Sequence, residues 1–388
     1  MKKCTTGRLD KVPPSGIRKF FDLLAGMEGV ISMGVGEPDF STPWNITEAA
    51  IRSLEQGVTM YTSNAGMPEL RQELSAYLKR TYGVSYDPNT ELLITNGVSE
   101  GLDLAARAIL DPGDEVIMPD PGYVAYPAAV LLADGVPVWV PTHCDNGFRL
   151  SAKDVDAAVT PRTKAILIGY PANPTGAVME MDRLAEIAEV ARRRKLLVIS
   201  DEIYSLLVYD MQPACFATLP RMKDHTVLLG GFSKAFAMTG WRIGYAAARP
   251  EIIAGMTKIH QYTALSSPTM GQVAALEALR SGEAEAEKMI EEYDRRRRVI
   301  VKGLNDIGLS CFEPKGAFYA FPQITSTGMT SEEFAENLLM EEKVAVVHGS
   351  AFGPSGEGHV RCCYATSMPN IEEALIRMAR FVQRHRQV

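Results

Sequence analysis

Histidine and cysteine are scarce in this chain, and neither shows a spacing that would hold a metal or a redox disulfide. Six histidines occur among 388 residues without an HExxH pair, which argues against a metal centre. Six cysteines, Cys4, Cys144, Cys215, Cys311, Cys362 and Cys363, include no CxxC, so they are expected to be reduced thiols in the core. Long apolar runs are missing, which excludes a membrane-spanning helix. The stretch Met1 to Phe20 lacks the continuous apolar core of a secretory signal, and a cytoplasmic protein is expected. Positive charge is not in excess: 40 Lys and Arg stand against 47 Asp and Glu, for a net charge of −7, which argues against a nucleic-acid surface. The densest basic run, Arg295 to Arg298, follows Glu291 and Glu292 at helical spacing and reads as a solvated helix face. No GxGxxG follows an early strand, which removes the main mark of a nicotinamide-dependent dehydrogenase. Internal repeats and low-complexity linkers are absent too.

What is present is an ordinary globular composition, 46% hydrophobic and 22% charged, enough for a sizeable core. The length suits two domains at about 100–200 residues each. A mixed, proline-containing arm with a short helix from Ile17 to Leu24 opens the chain. Val30 to Met33 is strand-like and runs into Gly34-Val35-Gly36-Glu37. Asn45, with Glu48 three residues on, reads as the start of a helix that Gly57 closes, and Pro68 to Tyr82 is a second. Strand-like runs then alternate with helical patterns: Leu92 to Thr95, Glu115 to Met118, Ala165 to Gly169, Leu196 to Ser200 and Val227 to Leu229. Because these runs are apolar throughout, they predict a mainly parallel sheet covered by helices on both faces.

A long charged helix from about Ala284 to Ile307 bridges to a region of different character. There Gly316 to Phe321, Val344 to Val347 and His359 to Tyr364 read as strands of a smaller α+β unit, closed by a helix from Ile371. The expected division is an arm that is also part of the small domain over 1–45, a large domain over 46–285 and a small domain over 286–388.

Five polar or glycine positions fall just past the carboxyl ends of predicted strands: Gly97, Tyr123, Asn173, Asp201 and Lys234. Ligands bind at that edge of an open α/β sheet. Taken singly, Asp201 reads as a helix N-cap, Asn173-Pro174 as a turn, Tyr123 as a core aromatic and Arg242 as a surface charge. Lys234, among apolar neighbours and close in sequence to Arg242, should lose its proton more easily than a solvated lysine. An amine of that kind forms a Schiff base with an aldehyde. The strand, glycine turn and helix start at Gly97-Val98-Ser99 make an anion site. Arg361 lies on a strand among apolar residues, where an unpaired charge is costly.

Ser233-Lys234 with Gly240-Trp241-Arg242-Ile243-Gly244, Pro171-Ala172-Asn173-Pro174-Thr175-Gly176 and Asp201-Glu202-Ile203-Tyr204, in this arrangement, resemble the fold-type I pyridoxal-phosphate aminotransferases. The likeness runs from about residue 12 to the end and looks closest to the prokaryotic aspartate and aromatic amino acid branch. The resemblance implies pyridoxal 5′-phosphate as cofactor, held covalently by Lys234, which also moves the proton at the reacting carbon. Asp201 would pair with the pyridine nitrogen, Tyr204 and Asn173 would bond the phenolic oxygen, and Tyr123 would stack on the ring. Val98 and Ser99 after Gly97, Ser233, Arg242 and Tyr61 from a second subunit would complete the cofactor site, which implies a homodimer with shared active sites. Arg361, in an Arg-x-x-x-Ala context, and the Gly36 amide would take the substrate carboxylate. The implied reaction is ping-pong exchange of an amino group between an aspartate or aromatic amino acid and 2-oxoglutarate. A lyase on the same fold is an alternative, whereas the presence of Lys234, Asp201 and Arg361 argues against a non-catalytic regulatory module. The segment Gln261 to Pro268 lacks the partner-subunit arginine that reads a distal carboxylate in dicarboxylate-specific relatives, so either another cation, with Arg107 as the candidate, takes that role or the distal pocket is built mainly from apolar groups.

Overall fold

The computed structural model describes residues 4–13 and 27–386, so the short helix expected at Ile17 to Leu24 lies outside the described residues. In chain order the strands are β1 (Ile31–Ser32), β2 (Leu92–Thr95), β3 (Glu115–Asp120), β4 (Val136–Pro141), β5 (Thr163–Gly169), β6 (Leu197–Asp201), β7 (Thr226–Gly231), β8 (Gly244–Ala247), β9 (Tyr319–Ala320), β10 (Val344–Ala345), β11 (Val347–His348) and β12 (Val360–Cys363). The α-helices are α1 (Trp44–Glu55), α2 (Pro68–Tyr82), α3 (Gly97–Ile109), α4 (Ala125–Leu132), α5 (Ala152–Ala158), α6 (Met181–Arg194), α7 (Pro250–Thr263), α8 (Thr269–Ser281), α9 (Glu283–Asp306), α10 (Ser331–Glu342) and α11 (Met368–His385).

Seven strands form the main sheet in the order β2-β8-β7-β6-β5-β3-β4. Every neighbouring pair is parallel except those of β8, which runs antiparallel to both β2 and β7. The apolar runs are continuous because both faces are covered. Val116 and Met118 join a cluster with Leu102 and Ala105 of α3, whereas Ile117 between them joins Ile187 and Ala191 of α6 on the opposite face. Successive strand residues point to opposite faces, so each side needs its own apolar partner.

The smaller sheets are β11-β12-β9, antiparallel throughout, and the parallel pair β1-β10. The run read as one strand from Val344 to Val347 divides between them, since Val344–Ala345 pairs with β1 and Val347–His348 with β12. The strand expected over Gly316 to Phe321 shortens to Tyr319–Ala320, because Ala317 N–H is spent on Leu207 O at 2.8 Å. Helix α9, 24 residues long, spans about 36 Å at 1.5 Å per residue and packs on α11, where Gly303 leaves room for Leu375.

Three local expectations are corrected. Asn45 does not cap α1: the helix begins one residue earlier, and the Asn45 side chain donates to Ser281 Oγ at 2.8 Å. The Arg295–Arg298 run is only half solvated, because Arg296 and Arg297 are buried. Of the six cysteines, Cys4 is exposed and Cys144 half-buried, and the other four are core residues. Among the described residues no helix is long and apolar enough to cross a membrane.

Candidate active site

The carboxyl ends of β2, β3, β5, β6 and β7 open on one cavity of about 340 Å³. Val98, Ser99, Tyr123, Asn173, Asp201, Tyr204, Ser233, Lys234, Arg242, Gly36 and Arg361 all line it. Gly97 stands directly behind Val98, with φ +75°, and a Cβ there would meet Arg242 Nη2 at 2.6 Å. Only glycine combines that backbone with that approach. Gly97 also starts α3, so the unsatisfied amides of the helix's first turn face the cavity beside a guanidinium, an arrangement suited to a phosphate. Glu100 in the same turn accepts the Asn96 N–H at 2.6 Å and holds the buried His260 at 2.8 Å, which fixes the start of α3 against α7.

Lys234 lies three residues past β7. Its Nζ donates to the Gly36 carbonyl at 2.6 Å and stands 5.8 Å from the ring centres of both Tyr204 and Phe318. Burial, reinforced by the positive charges of Arg361 and Arg242, brings its pKa down to about 8. The amine is therefore poised to act as a nucleophile and proton carrier near neutral pH. Asp201 closes β6 and is buried; it accepts Tyr126 Oη–H at 3.0 Å and the Ile203 N–H at 3.2 Å. Burial raises its carboxyl to about 6, against the opposing effect of those two bonds and of Lys234. A buried anion with only neutral donors awaits a cationic N–H.

On the other wall, Arg361 of β12 is buried, donating from Nη1 to Asn173 Oδ1 at 2.8 Å and from Nη2 to Gly34 O at 2.5 Å. Its Nε has no hydrogen-bond partner among the described residues. The guanidinium carbon is 4.6 Å from the Tyr319 ring centre and 4.9 Å from that of Phe352. Tyr204 Oη shares a 2.6 Å hydrogen bond with Tyr319 Oη, and burial keeps the Tyr204 phenol well above its ordinary pKa, hence neutral.

Besides Gly97, which backs Val98, two expected residues do not line this chain's cavity: Tyr61, expected to act from a second subunit, and Arg107. Tyr61 is 82% exposed and lies outside it. Arg107 pairs with Asp103 at 3.2 Å near the far end of α3, about 15 Å along the helix from Gly97 at 1.5 Å per residue, and does not line the cavity. Its candidacy as the reader of a distal carboxylate is withdrawn. Sequence reasoning missed Tyr126, Tyr319 and Phe352. Tyr126 stands in the first turn of α4, and its ring meets that of Tyr123 edge-on at 5.5 Å; Tyr319 stood in a run that read as core strand, and nothing in the sequence singled out Phe352.

Comparison with known proteins agrees with this geometry. Residues 28–378 match the family described as aminotransferase class I and II. The chain is 48% identical to aspartate aminotransferase of Pyrococcus abyssi and 45% identical to aromatic-amino-acid aminotransferase 2 of Thermococcus litoralis, over 97% of each chain in both cases. The structure of Thermus thermophilus aspartate aminotransferase with maleate superposes with a TM-score of 0.93 at 39% identity, covering 97% of this chain and 99% of that one. Such enzymes use pyridoxal phosphate and act on amino acids and oxo acids, and a lysine, a buried carboxylate and a helix-borne anion site around one cavity are what that chemistry needs. By fold and by sequence over nearly its whole length, the chain belongs to the class I and II aminotransferases, enzymes of the fold-type I architecture.

Proposed function

We propose that this cavity holds pyridoxal 5′-phosphate and exchanges an amino group between an L-amino acid and 2-oxoglutarate in two half-reactions of a ping-pong cycle. One observation carries the reading: Lys234 opens into a cavity that has a buried carboxylate, Asp201, on one wall and the Gly97–Ser99 helix start with Arg242 on another. The donor set fits the group, since an anion faces where a pyridine N–H belongs and cationic and amide donors face where a phosphate belongs. When bound, the cofactor supplies an electron sink for charge developing at the amino acid's Cα. The protein's residues do the rest. Asp201 would hold the ring nitrogen's proton, Tyr204 and Asn173 would bond the phenolic oxygen, and Tyr123 would cover the ring. Lys234 carries the proton, Ser233 supports the phosphate wall, and Arg361 with the Gly36 backbone seats the substrate carboxylate in a planar fork.

Three cations line the cavity among the described residues, Lys234, Arg242 and Arg361, and each has a role at the cofactor or the α-carboxylate. Among the described residues no further cation lines the cavity where the substrate side chain would lie. A pocket of that kind discriminates mostly by contact area, at about 1–3 kcal/mol per methylene, so aspartate and aromatic donors both fit. The assembly is a homodimer with shared sites. Tyr61, Met60 and Tyr262 are 82%, 78% and 85% exposed, and the segments that bear them are tied together by Asn64 to Leu265 O and Thr269 to Met60 O. Such a cluster of exposed aromatic and apolar groups marks an interface. The test is a donor screen against 2-oxoglutarate with the purified enzyme, together with the cofactor's near-visible absorbance. Glutamate should discharge that band and 2-oxoglutarate should restore it, and a band that glutamate leaves unchanged would refute the assignment.

A further inference from the structure

The buried carboxylate of Asp120 belongs to none of the roles above, yet it joins two segments 235 residues apart in sequence at the cavity's edge. Asp120 ends β3, immediately before Pro121-Gly122-Tyr123. Both its carboxylate oxygens accept the Ser355 N–H, at 3.0 and 3.2 Å, and Oδ2 also accepts Ser355 Oγ–H at 2.7 Å. Two residues on, the Gly122 N–H donates to the Phe352 carbonyl at 2.9 Å. Between these contacts Gly353 adopts φ +126°, and a side chain there would collide with the Asp120 carboxylate. Backbone and side chain thus fix residues 352–355 against 120–122 with no room to slide, and a glycine is required at the point of closest approach.

Phe352 is the residue this clamp delivers to the site. Its ring stands 4.9 Å from the Arg361 guanidinium, and Tyr319 flanks the same group at 4.6 Å. A guanidinium packed against two rings directs its hydrogen bonds along its remaining edges. Arg361 spends Nη1 on Asn173 and Nη2 on Gly34, and its Nε has no partner among the described residues. Rotation of the fork is therefore limited by the rings, and one ring is placed by the clamp.

We infer that Asp120, through Ser355 and Phe352, is a positioning residue for the substrate α-carboxylate, tying the orientation of Arg361 to the strand end that also carries Tyr123. The inference rests on the proposed role of Arg361. Loss of the clamp lets Phe352 withdraw, so the substrate's carboxylate meets a less constrained fork; the lysine and the cofactor-binding residues are untouched. Binding is affected and the chemical step is not.

The experiment uses the holoenzyme and two carboxylic acids that lack an amino group, maleate and 3-phenylpropanoate, with dissociation constants measured by calorimetry. Asp120→Asn, which keeps shape but replaces one acceptor by a donor, should raise both constants and the KM for the amino acid by about tenfold, the weight of one charge-assisted contact. The turnover number at saturation should stay within about threefold, and cofactor affinity should not change. Phe352→Leu should have a similar effect, and the double variant should be no worse than either single one, because the two substitutions interrupt the same linkage. Ser355→Ala, which removes only the 2.7 Å contact, supplies a milder version should Asp120→Asn fold poorly. Carboxylate affinities within about twofold of the parent in Asp120→Asn and Ser355→Ala, or effects that multiply in the double variant, overturn the inference. If Arg361→Ala leaves the maleate constant unchanged, the reading of Arg361 itself fails, a result distinguishable from failure of the clamp alone.

Discussion

Helix α9 and the cavity both bury charge, and they treat it in opposite ways. On α9, Arg297 is 1% exposed and surrounded by Asp294 at 2.6 Å, Glu313 at 2.5 Å, Asp210 at 3.3 Å and the Pro314 carbonyl at 3.2 Å. Its neighbour Arg296 is held by Asp39 at 2.7 Å and Glu292 at 3.0 Å. In the cavity, Asp201 has only a phenol and a backbone amide, Lys234 only a backbone carbonyl, and Arg361 retains an unpartnered nitrogen. Burial shifts both Asp201 and Lys234 toward their neutral forms, whereas the carboxylates around Arg297 keep Arg297 charged by raising its pKa. Between these two places the difference is one of partners: Arg297 meets counter-charges, whereas the cavity groups meet neutral partners and open on a space where a ligand can supply the rest.

Removing charge from each region should therefore have different consequences. Lys234→Ala should lower turnover by at least about 10⁴-fold, measured at saturating cofactor, while the protein stays folded by circular dichroism. Arg297→Ala should destabilise the fold by about 1.5–3 kcal/mol, because it removes a buried guanidinium and its charge-assisted bonds to Asp294 and Glu313; denaturant unfolding measures this, and substrate affinity in the folded protein should not move. A loss of affinity ahead of stability would break the distinction between the two regions.

Asp201→Asn should act in the reverse sense on the cofactor-free protein. The Asp201 carboxyl is raised from 3.8 to about 6, so between those values the folded state binds the proton more tightly than the unfolded chain. Its contribution is present below about pH 4 and is lost as pH climbs through 6. The asparagine variant escapes that loss and should be more stable at pH 7 by up to about 3 kcal/mol, with activity abolished; melting curves from pH 4 to 8 give the difference. The smallest effect belongs to Arg107→Ala. Its ion pair with Asp103 is exposed, so stability should change by less than about 0.5 kcal/mol, and the ratio of kcat/KM for aspartate to that for phenylalanine should be unchanged.

The parts of this architecture that were legible in the sequence are those where one local rule decides. Apolar runs such as Ala165 to Gly169 marked buried parallel strands, and polar residues past their ends marked the ligand edge. Antiparallel β8 was not legible, because Gly244–Ala247 carries no signal of direction; its orientation comes from pairing with both β2 and β7. The four arginines in the middle of α9 looked like a solvated face since their local partners were visible at helical spacing. Asp39 and Glu313, which draw Arg296 and Arg297 inward, come from elsewhere in the chain. Asn45 had the right residue type for a cap, but Ser281 on a neighbouring helix claimed its side chain. Phe352 escaped notice because its neighbour Arg361 is brought to it by the β11-β12 pairing and not by sequence spacing.

The antiparallel strand has a further consequence. Because β7 and β8 form a hairpin with Gly231 opposite Gly244, Lys234 and Arg242 ride on a single connecting segment. Gly244 backs onto Gly97 so closely that a Cβ would meet the Gly97 carbonyl carbon at 2.6 Å. Lys234 and Arg242 thus travel as one cassette, docked on the start of α3 by a glycine-to-glycine contact. Other parts of the cavity wall, such as Val35 and Ile203, come from segments outside this cassette. A designer can recast those walls for a new amino acid and leave the cassette alone; conversely, a methyl group added at position 244 would disable every such design at once.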